Sequence, residues 1–406
     1  MGHMLEGLLP AVDDFVALRR EIHRFPELAF QEHRTSDLVA SKLEGWGYTV
    51  HRGLGGTGVV GTLVRGTSER RLGLRADMDA LPIQEASGRP WASVCDGRMH
   101  ACGHDGHTTM LLAAAQVLAQ RADFDGTLHL IFQPAEEGAG GARRMIADGL
   151  FDQFPCDAVF AMHNMPGVPQ GHLWLREGPA MASSDDVTIT ITGTGGHGAM
   201  PHKAADPVVA AVSLVMALQT VVSRNVDPRQ AAVVTVGELH AGTANNVIPG
   251  AARLELSVRA LDRGVRQQLK QRIHALAAAQ AESFGVQAQV DWRNGYAVLV
   301  NTAAETELAR QVARDLVGAD RVNPQAPALT ASEDFAFMLE QRPGSYLLIG
   351  NGDGTDGNTA GACMVHNPGY DFNDDNIAIG SAFWVRLAER FLSKSAPVTT
   401  PSASPR

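Results

Sequence analysis

At 406 residues, with 45% hydrophobic and 19% charged residues, the chain is too long for one ordinary core and has the composition of a soluble two-domain protein. A net charge of −10, with no Lys/Arg block and no interleaving of basic and aromatic residues, excludes nucleic acid as a partner. No apolar stretch approaches the roughly 20 residues of a membrane span, and no basic-then-apolar leader opens the sequence, so no membrane partner is expected. Four cysteines at 95, 102, 156 and 363 in no paired spacing suit a reducing cytoplasm better than a disulfide framework. Met1-Gly2-His3 reads as a cloning scar with Met4 the native start, and the Ser-, Pro- and Thr-rich stretch 393–406 as a disordered tail.

In chain order, Asp14 to Arg24 and Glu32 to Trp46 carry helical amphipathic patterns, and Tyr48–Val50, Val59–Val64 and Leu72–Arg75 read as strands. His107 to Gln120 places Met110, Leu111, Ala114, Val117 and Leu118 at helical spacing, with Asp105 or Thr108 available as its cap. Thr127–Phe132 and Ala158–Met162 are apolar strands. Strands of this kind separated by helices predict an α/β domain, a mixed and largely parallel sheet covered by helices.

The pattern changes near Asp186, where Val187–Thr192 alternates with period two. A helix opened by Asp206-Pro207, strands at Ala232–Val236 and Arg253–Val258, a helix from Arg263 to Phe284 and a strand at Val286–Trp292 follow. The order βαββαβ predicts an inserted ferredoxin-like domain over 186–294, splitting the larger domain into 13–185 and 295–392. Gly53-Leu54-Gly55-Gly56-Thr57-Gly58 fits a dinucleotide fingerprint in letters only, because a strand rather than a helix follows it.

Four apolar strands run into polar clusters, and sites in open α/β sheets form at such carboxyl ends. The clusters are Ala76-Asp77-Met78-Asp79, Gln133-Pro134-Ala135-Glu136-Glu137-Gly138, His163-Asn164 and, after a Gly-rich loop, His366-Asn367. His100-Ala101-Cys102-Gly103-His104-Asp105-Gly106-His107 is denser still. Cys102 and His104, two apart in an extended chain, point to one side, and thiolate with imidazole suits borderline transition metals. Of Glu136 and Glu137, one can ligate a metal while the other takes a proton from water. Spacing does not say which does which.

These motifs, together with Gly195-Gly196-His197-Gly198-Ala199, Asn246-Val247-Ile248-Pro249 and Ser332-Glu333-Asp334-Phe335, resemble in order those of the M20 metallopeptidase family, in its aminoacylase and hippurate-hydrolase-like amidohydrolase branch. The resemblance spans about residues 13 to 392. It implies two divalent ions (Zn, Mn, Co or Ni) on Cys102, His104, Glu137, His163 and His366, with Glu136 as general base and Asp77 and Asp79 behind the ligands. The wider family's metal-binding histidine two residues before the equivalent of Asp79 is here Asp77, which leaves the bridging ligand open. The inserted domain resembles a lid and dimerisation domain, so a homodimer, or a dimer of such dimers, is expected. His197 matches a histidine that helps hold the scissile carbonyl in the partner's site, and Asn246 and Arg259 match substrate contacts, with Arg259 on the α-carboxylate. The implied activity is hydrolysis of the amide bond of N-acyl amino acids. The alternatives are dipeptidase or carboxypeptidase action within the same family, or a cysteine hydrolase using Cys102 as nucleophile.

Overall fold

The computed structural model describes residues 12–121, 123–355, 357 and 359–393. The expected scar at 1–3, and the expected tail beyond Ser393, lie outside the described residues. Two compact units emerge, one running through Gly178 and taking in Asn301–Ala326 and the residues from Phe337 on, the other comprising Pro179–Val300 and Pro327–Ala336. The second unit therefore includes, beyond 186–294, short flanks and the distant segment Pro327–Ala336.

In the first unit the long helices are α1 (Val12–Arg24), α2 (His33–Gly45), α3 (His104–Gln120), α4 (Ala303–Val317) and α5 (Asn376–Phe391). Its strands are β1 (Thr49–Leu54), β2 (Gly58–Arg65), β3 (Arg71–Asp77), β4 (Gly126–Gln133), β5 (Ala158–Pro166), β6 (Leu173–Trp174), β7 (Val322–Asn323) and β8 (Gly344–Gly352). They form one eight-stranded sheet in the order β1-β2-β4-β3-β5-β8-β6-β7. β4, β3, β5 and β8 run parallel at its centre, while β1/β2, β2/β4 and β8/β6 are antiparallel. This is the mixed, largely parallel sheet expected. β3, β4 and β8 are buried at nearly every position, as strands covered on both faces must be. Gly53–Gly58 is the turn of the β1–β2 hairpin, not a nucleotide loop.

α3 begins three residues earlier than periodicity suggested, and neither Asp105 nor Thr108 caps it. The cap is Gly103 in the left-handed region (φ 92°), and every residue from His104 to Ala115 is buried. Polar side chains in the first turn broke the apolar rhythm, which is why the pattern placed the start too late. α3 packs against α1, α5 and β3.

In the second unit, Ser183–Thr192, Ala232–Ala241, Ala251–Ala260 and Gln287–Asn294 form a four-stranded sheet in which every pair is antiparallel. The order is second, third, first, fourth, the ferredoxin-like arrangement expected of βαββαβ. Val187, Ile189, Ile191, Leu254, Leu256 and Val258 share a core with Leu214, Leu218, Leu269 and Ile273 of the two helices. Asp206 caps the first helix by accepting the Val208 and Val209 amides, and Asp262 caps the second through the Val265 amide. One expectation is corrected. The helical run Pro207–Asn225, 19 residues of mean hydropathy 1.6, is long and apolar enough to cross a membrane by length and composition. Its Ala210, Ala211, Leu214, Leu218 and Val221 are instead committed to the unit's core.

Candidate metal centre

The polar clusters meet at the carboxyl ends of the parallel strands. β3 ends on Asp77, β4 on Gln133, β5 carries His163, and His366 follows β8. Gly103 makes this convergence sterically possible. A Cβ there would lie 2.3 Å from Asn164 Nδ2 and 2.5 Å from Tyr370 Oη, and its positive φ is one that other residues adopt only under strain. The expected extended Cys102–His104 arrangement is thus replaced by a left-handed residue followed at once by a helix, which still brings both side chains to one place.

Of the five donor triads found among the described residues, two contain a sulfur, Cys102/His104/His163 and Cys102/Glu137/His366, the ligand atoms of each lying within 4.8 Å of one another. Cys102 belongs to both. Its Sγ is 3.3 Å from His163 Nε2, and Glu137 Oε1 is 3.3 Å from His366 Nε2 and 3.9 Å from His104 Nε2. Glu136 offers a carboxylate oxygen within 4.8 Å of the His104 and Glu137 donors. Sulfur, imidazole and carboxylate donors in two threes sharing one sulfur fit a pair of divalent ions. So does His104 Nε2, which is buried and has no hydrogen-bond partner, an arrangement costly in a native interior unless a ligand takes the atom up.

Behind the donors stands a shell that fixes their direction. Asp79 Oδ1 accepts from His104 Nδ1 at 3.2 Å and from the Glu136 amide at 3.0 Å, while Oδ2 accepts the Glu137 amide at 2.9 Å. With its Nδ1 proton committed there, His104 turns Nε2 inward. Asp77 Oδ1 accepts from His107 Nδ1 at 2.6 Å, and the Asn164 amide donates to His107 Nε2 at 3.0 Å. Both His107 nitrogens are therefore engaged, making it a support rather than a ligand. Asn164 Nδ2 also donates to the Cys102 carbonyl at 2.6 Å, and Tyr370 Oη donates to Asn164 Oδ1 at 2.7 Å. Buried Arg75 donates to Gln133 Oε1 at 2.8 Å and Asp77 Oδ2 at 2.7 Å. His163 Nδ1 donates to the Asn164 carbonyl at 2.6 Å.

The electrostatics follow from this packing. Burial opposes charge on His104, but Asp77, Asp79 and Glu137 outweigh it and push its pKa up to about 10. Burial would raise Asp77, yet His104, Arg75 and His107 hold it well below the ordinary carboxylate range. Burial, with Glu137, Glu136 and Asp77 adding like charge, pushes the Cys102 thiol well above its usual value. Burial and His107 hold His163 well below its own.

In the second unit, His197 pairs with Val247 in a two-stranded ribbon, and the Gly198 amide donates to the Asn246 carbonyl at 2.8 Å. His197 Nδ1 accepts the Ala199 amide at 3.1 Å, which leaves the proton on Nε2, available for donation. Arg259 stands on another strand, donating to Ser332 Oγ at 2.9 Å and Ser257 Oγ at 3.3 Å. Both of these partners are neutral hydroxyls.

Arg75, His107, Asn164, Tyr370 and Glu32 escaped the sequence reading as functional supports. Arg75 left a signal, a charged residue inside an apolar strand of a covered sheet, where only a paired charge is tolerated. Glu32 lies far from the motif it touches. Its buried carboxylate accepts the Ala135 amide at 2.9 Å.

Residues 73–390 match the model for peptidase family M20/M25/M40. The chain is 42% identical to hippurate hydrolase of Campylobacter jejuni, over 96% of its own length and 100% of that protein's. It is 39% identical to N-acetyl-L-cysteine deacetylase of Bacillus subtilis, over 94% and 88% of the two chains. Among solved structures, the Bacillus subtilis YXEP protein, a dinuclear metal binding peptidase, matches with a TM-score of 0.81 at 32% identity, covering 94% of this chain and 99% of that one. On the strength of the matched model and of relatives similar along almost their whole length, this chain belongs to the M20/M25/M40 peptidase family.

Proposed function

We propose that this protein hydrolyses the amide bond of small N-acyl amino acids, releasing a carboxylic acid and a free amino acid, with Glu136 as general base beside two divalent cations. The observation that carries it is the pair of donor triads sharing Cys102 with a second carboxylate, Glu136, at their edge. Relatives named for hippurate and N-acetyl-L-cysteine support the substrate class.

Cys102, His104 and His163 would hold one ion, and Cys102, Glu137 and His366 the other. Zn, Mn, Co and Ni all suit such a mixed donor set. Bound there, the ions lower the pKa of water and polarise the amide carbonyl. Glu136 takes the proton of the attacking water and returns it to the leaving nitrogen, a general base becoming a general acid. His197, its proton on Nε2, donates to the developing oxyanion in the partner subunit's site. Arg259 grips the α-carboxylate, with Asn246 as a further substrate contact.

A homodimer is part of the proposal. Val209, Val212 and Met216 form an exposed apolar stripe along one face of the second unit's first helix, of the kind interaction surfaces use. Four free cysteines support a cytoplasmic setting.

The test is Glu136→Ala with metal content measured alongside kinetics on N-acetyl and N-benzoyl amino acids and dipeptides. Two ions retained with kcat reduced about 10²-fold or more is the expected result. Unchanged turnover removes Glu136 from the mechanism, and a preference for dipeptides favours the peptidase alternative.

A further inference from the structure

We propose that Glu32 is a positioning residue for Glu136, its buried carboxylate holding the left-handed turn that aims the general base. The proposal rests on the reading of Glu136 as that base. Glu32 stands just before α2, where an acidic side chain ordinarily caps its own helix, yet it makes no cap hydrogen bond. Its side chain is instead turned inward and fully buried. Oε1 accepts two amides, those of Ala135 at 2.9 Å and Phe30 at 3.0 Å, and Oε2 accepts from Thr57 Oγ1 at 2.5 Å.

Those two amides are not ordinary ones. Among the described residues, three other than glycine have positive φ: Phe30 at 61°, Ala135 at 55° and His366 at 65°. Such conformations persist only where surrounding structure over-determines them, and they gather at functional sites. The last is a proposed metal ligand. The first two both donate to one oxygen of Glu32, so one carboxylate pins two strained residues together, one at the entrance to α2 and one directly before Glu136.

The next two amides in the turn, those of Glu136 and Glu137, end on Asp79. Three consecutive N–H groups are therefore tied to two buried carboxylates, and the adjacent Glu side chains are fixed in direction. The two anchors divide the work. Asp79 also holds His104, so its loss disturbs the metal site directly. Glu32 contacts Ala135, Phe30 and Thr57, and its influence reaches the chemistry through the backbone that carries Glu136. Misplacing a reacting group by about 1 Å costs on the order of 10²-fold in rate.

The experiment compares Glu32→Met, similar in size but with only a weakly accepting thioether in place of the carboxylate, with Glu32→Gln. The amide oxygen of Gln can take both N–H groups while its NH2 donates to Thr57 Oγ1. Glu32→Met is expected to keep two ions per chain and KM within about 2-fold, with kcat down about 10²-fold. Glu32→Gln is expected to restore most of that loss. Wild-type kcat in metal-replete Glu32→Met overturns the proposal, as does a Gln variant impaired as badly as the Met one, or a loss traced wholly to missing metal. Should Glu32→Met fail to fold, Thr57→Val frees Oε2 and is expected to lower kcat several-fold with KM unchanged, an unaltered kcat there being equally fatal. On a Glu136→Ala background, Glu32→Met is expected to add no further loss, and a full additional loss contradicts action through Glu136. If Glu136→Ala itself turns over normally, the general-base reading fails. If Glu136→Ala collapses kcat while Glu32→Met does not, only the role of Glu32 falls.

Discussion

Loading the metal-free protein with divalent cations near pH 7.5 is expected to release about two protons per chain. Metal ligands must be deprotonated, so the count follows from which donors hold protons beforehand. His104, pushed up to about 10, is imidazolium at that pH and gives up one proton. Cys102, its thiol raised by burial and three carboxylates, gives up another. His163 is held well below its ordinary pKa and is already neutral, and Glu137, lowered in spite of burial by His366 and His104, is already ionised. The Glu137 carboxylate raises His366, so any proton it carries adds to the two.

The sign follows from linkage. The free protein binds more protons than the loaded one, so apparent metal affinity rises with pH until both groups titrate by themselves. At about 1.4 kcal/mol per proton per pH unit, two protons make the product of the two apparent association constants rise about 10²-fold for each unit from pH 7 to 9. Titration calorimetry in two buffers of different ionisation enthalpy reads the proton count directly. Cys102→Ser is expected to reduce it by about one. A release below one proton for both metals together refutes the reasoning, because neither a buried thiol nor a raised imidazole would then be entering the coordination sphere.

Other consequences are simpler to state. Asp79→Asn replaces an acceptor facing the Glu137 amide with a donor and weakens the hold on His104, so metal affinity should fall 10- to 100-fold; competition with a chromogenic chelator measures it. Arg259→Met should lower kcat/KM for substrates with a free α-carboxylate about 10- to 150-fold, the equivalent of a charge-assisted hydrogen bond of about 1.5–3 kcal/mol, and should leave the matching carboxamides unaffected. Met216→Lys places a charge in the exposed stripe of the second unit and should shift sedimentation from dimer toward monomer, while a variant that sediments unchanged moves the interface elsewhere.

What the sequence disclosed depended on how far apart interacting residues lie. The fold class was legible because strand and helix periodicities are local, and Asp206-Pro207 announced its helix through a cap two and three residues from its targets. The clustering of Cys102 with His104, and of Glu136 with Glu137, was visible within short runs. The supports were not. Glu32 meets Ala135 across 103 positions, and His107 meets the Asn164 amide across 57; no spacing rule spans such gaps. The start of α3 was misplaced because its first turn is spent on polar contacts rather than on an apolar stripe.

The field of the site also separates the rival chemistries. Asp77 is offset by Arg75 and two imidazoles, and Asp79 is satisfied by a ring N–H and two amides. Glu137 leans on His366 and His104, and the potential anion of Cys102 lies among carboxylates, where burying it charged is costly unless positive charge is supplied. A cysteine nucleophile needs a thiol pKa lowered by a neighbouring cation or a helix N-terminus. Here three carboxylates act on Cys102 in the opposite sense, and the histidine 3.3 Å away is itself held neutral. The same anions that disfavour a free thiolate attract divalent cations, which supports the proposed role of Cys102 as a ligand over one as an attacking group.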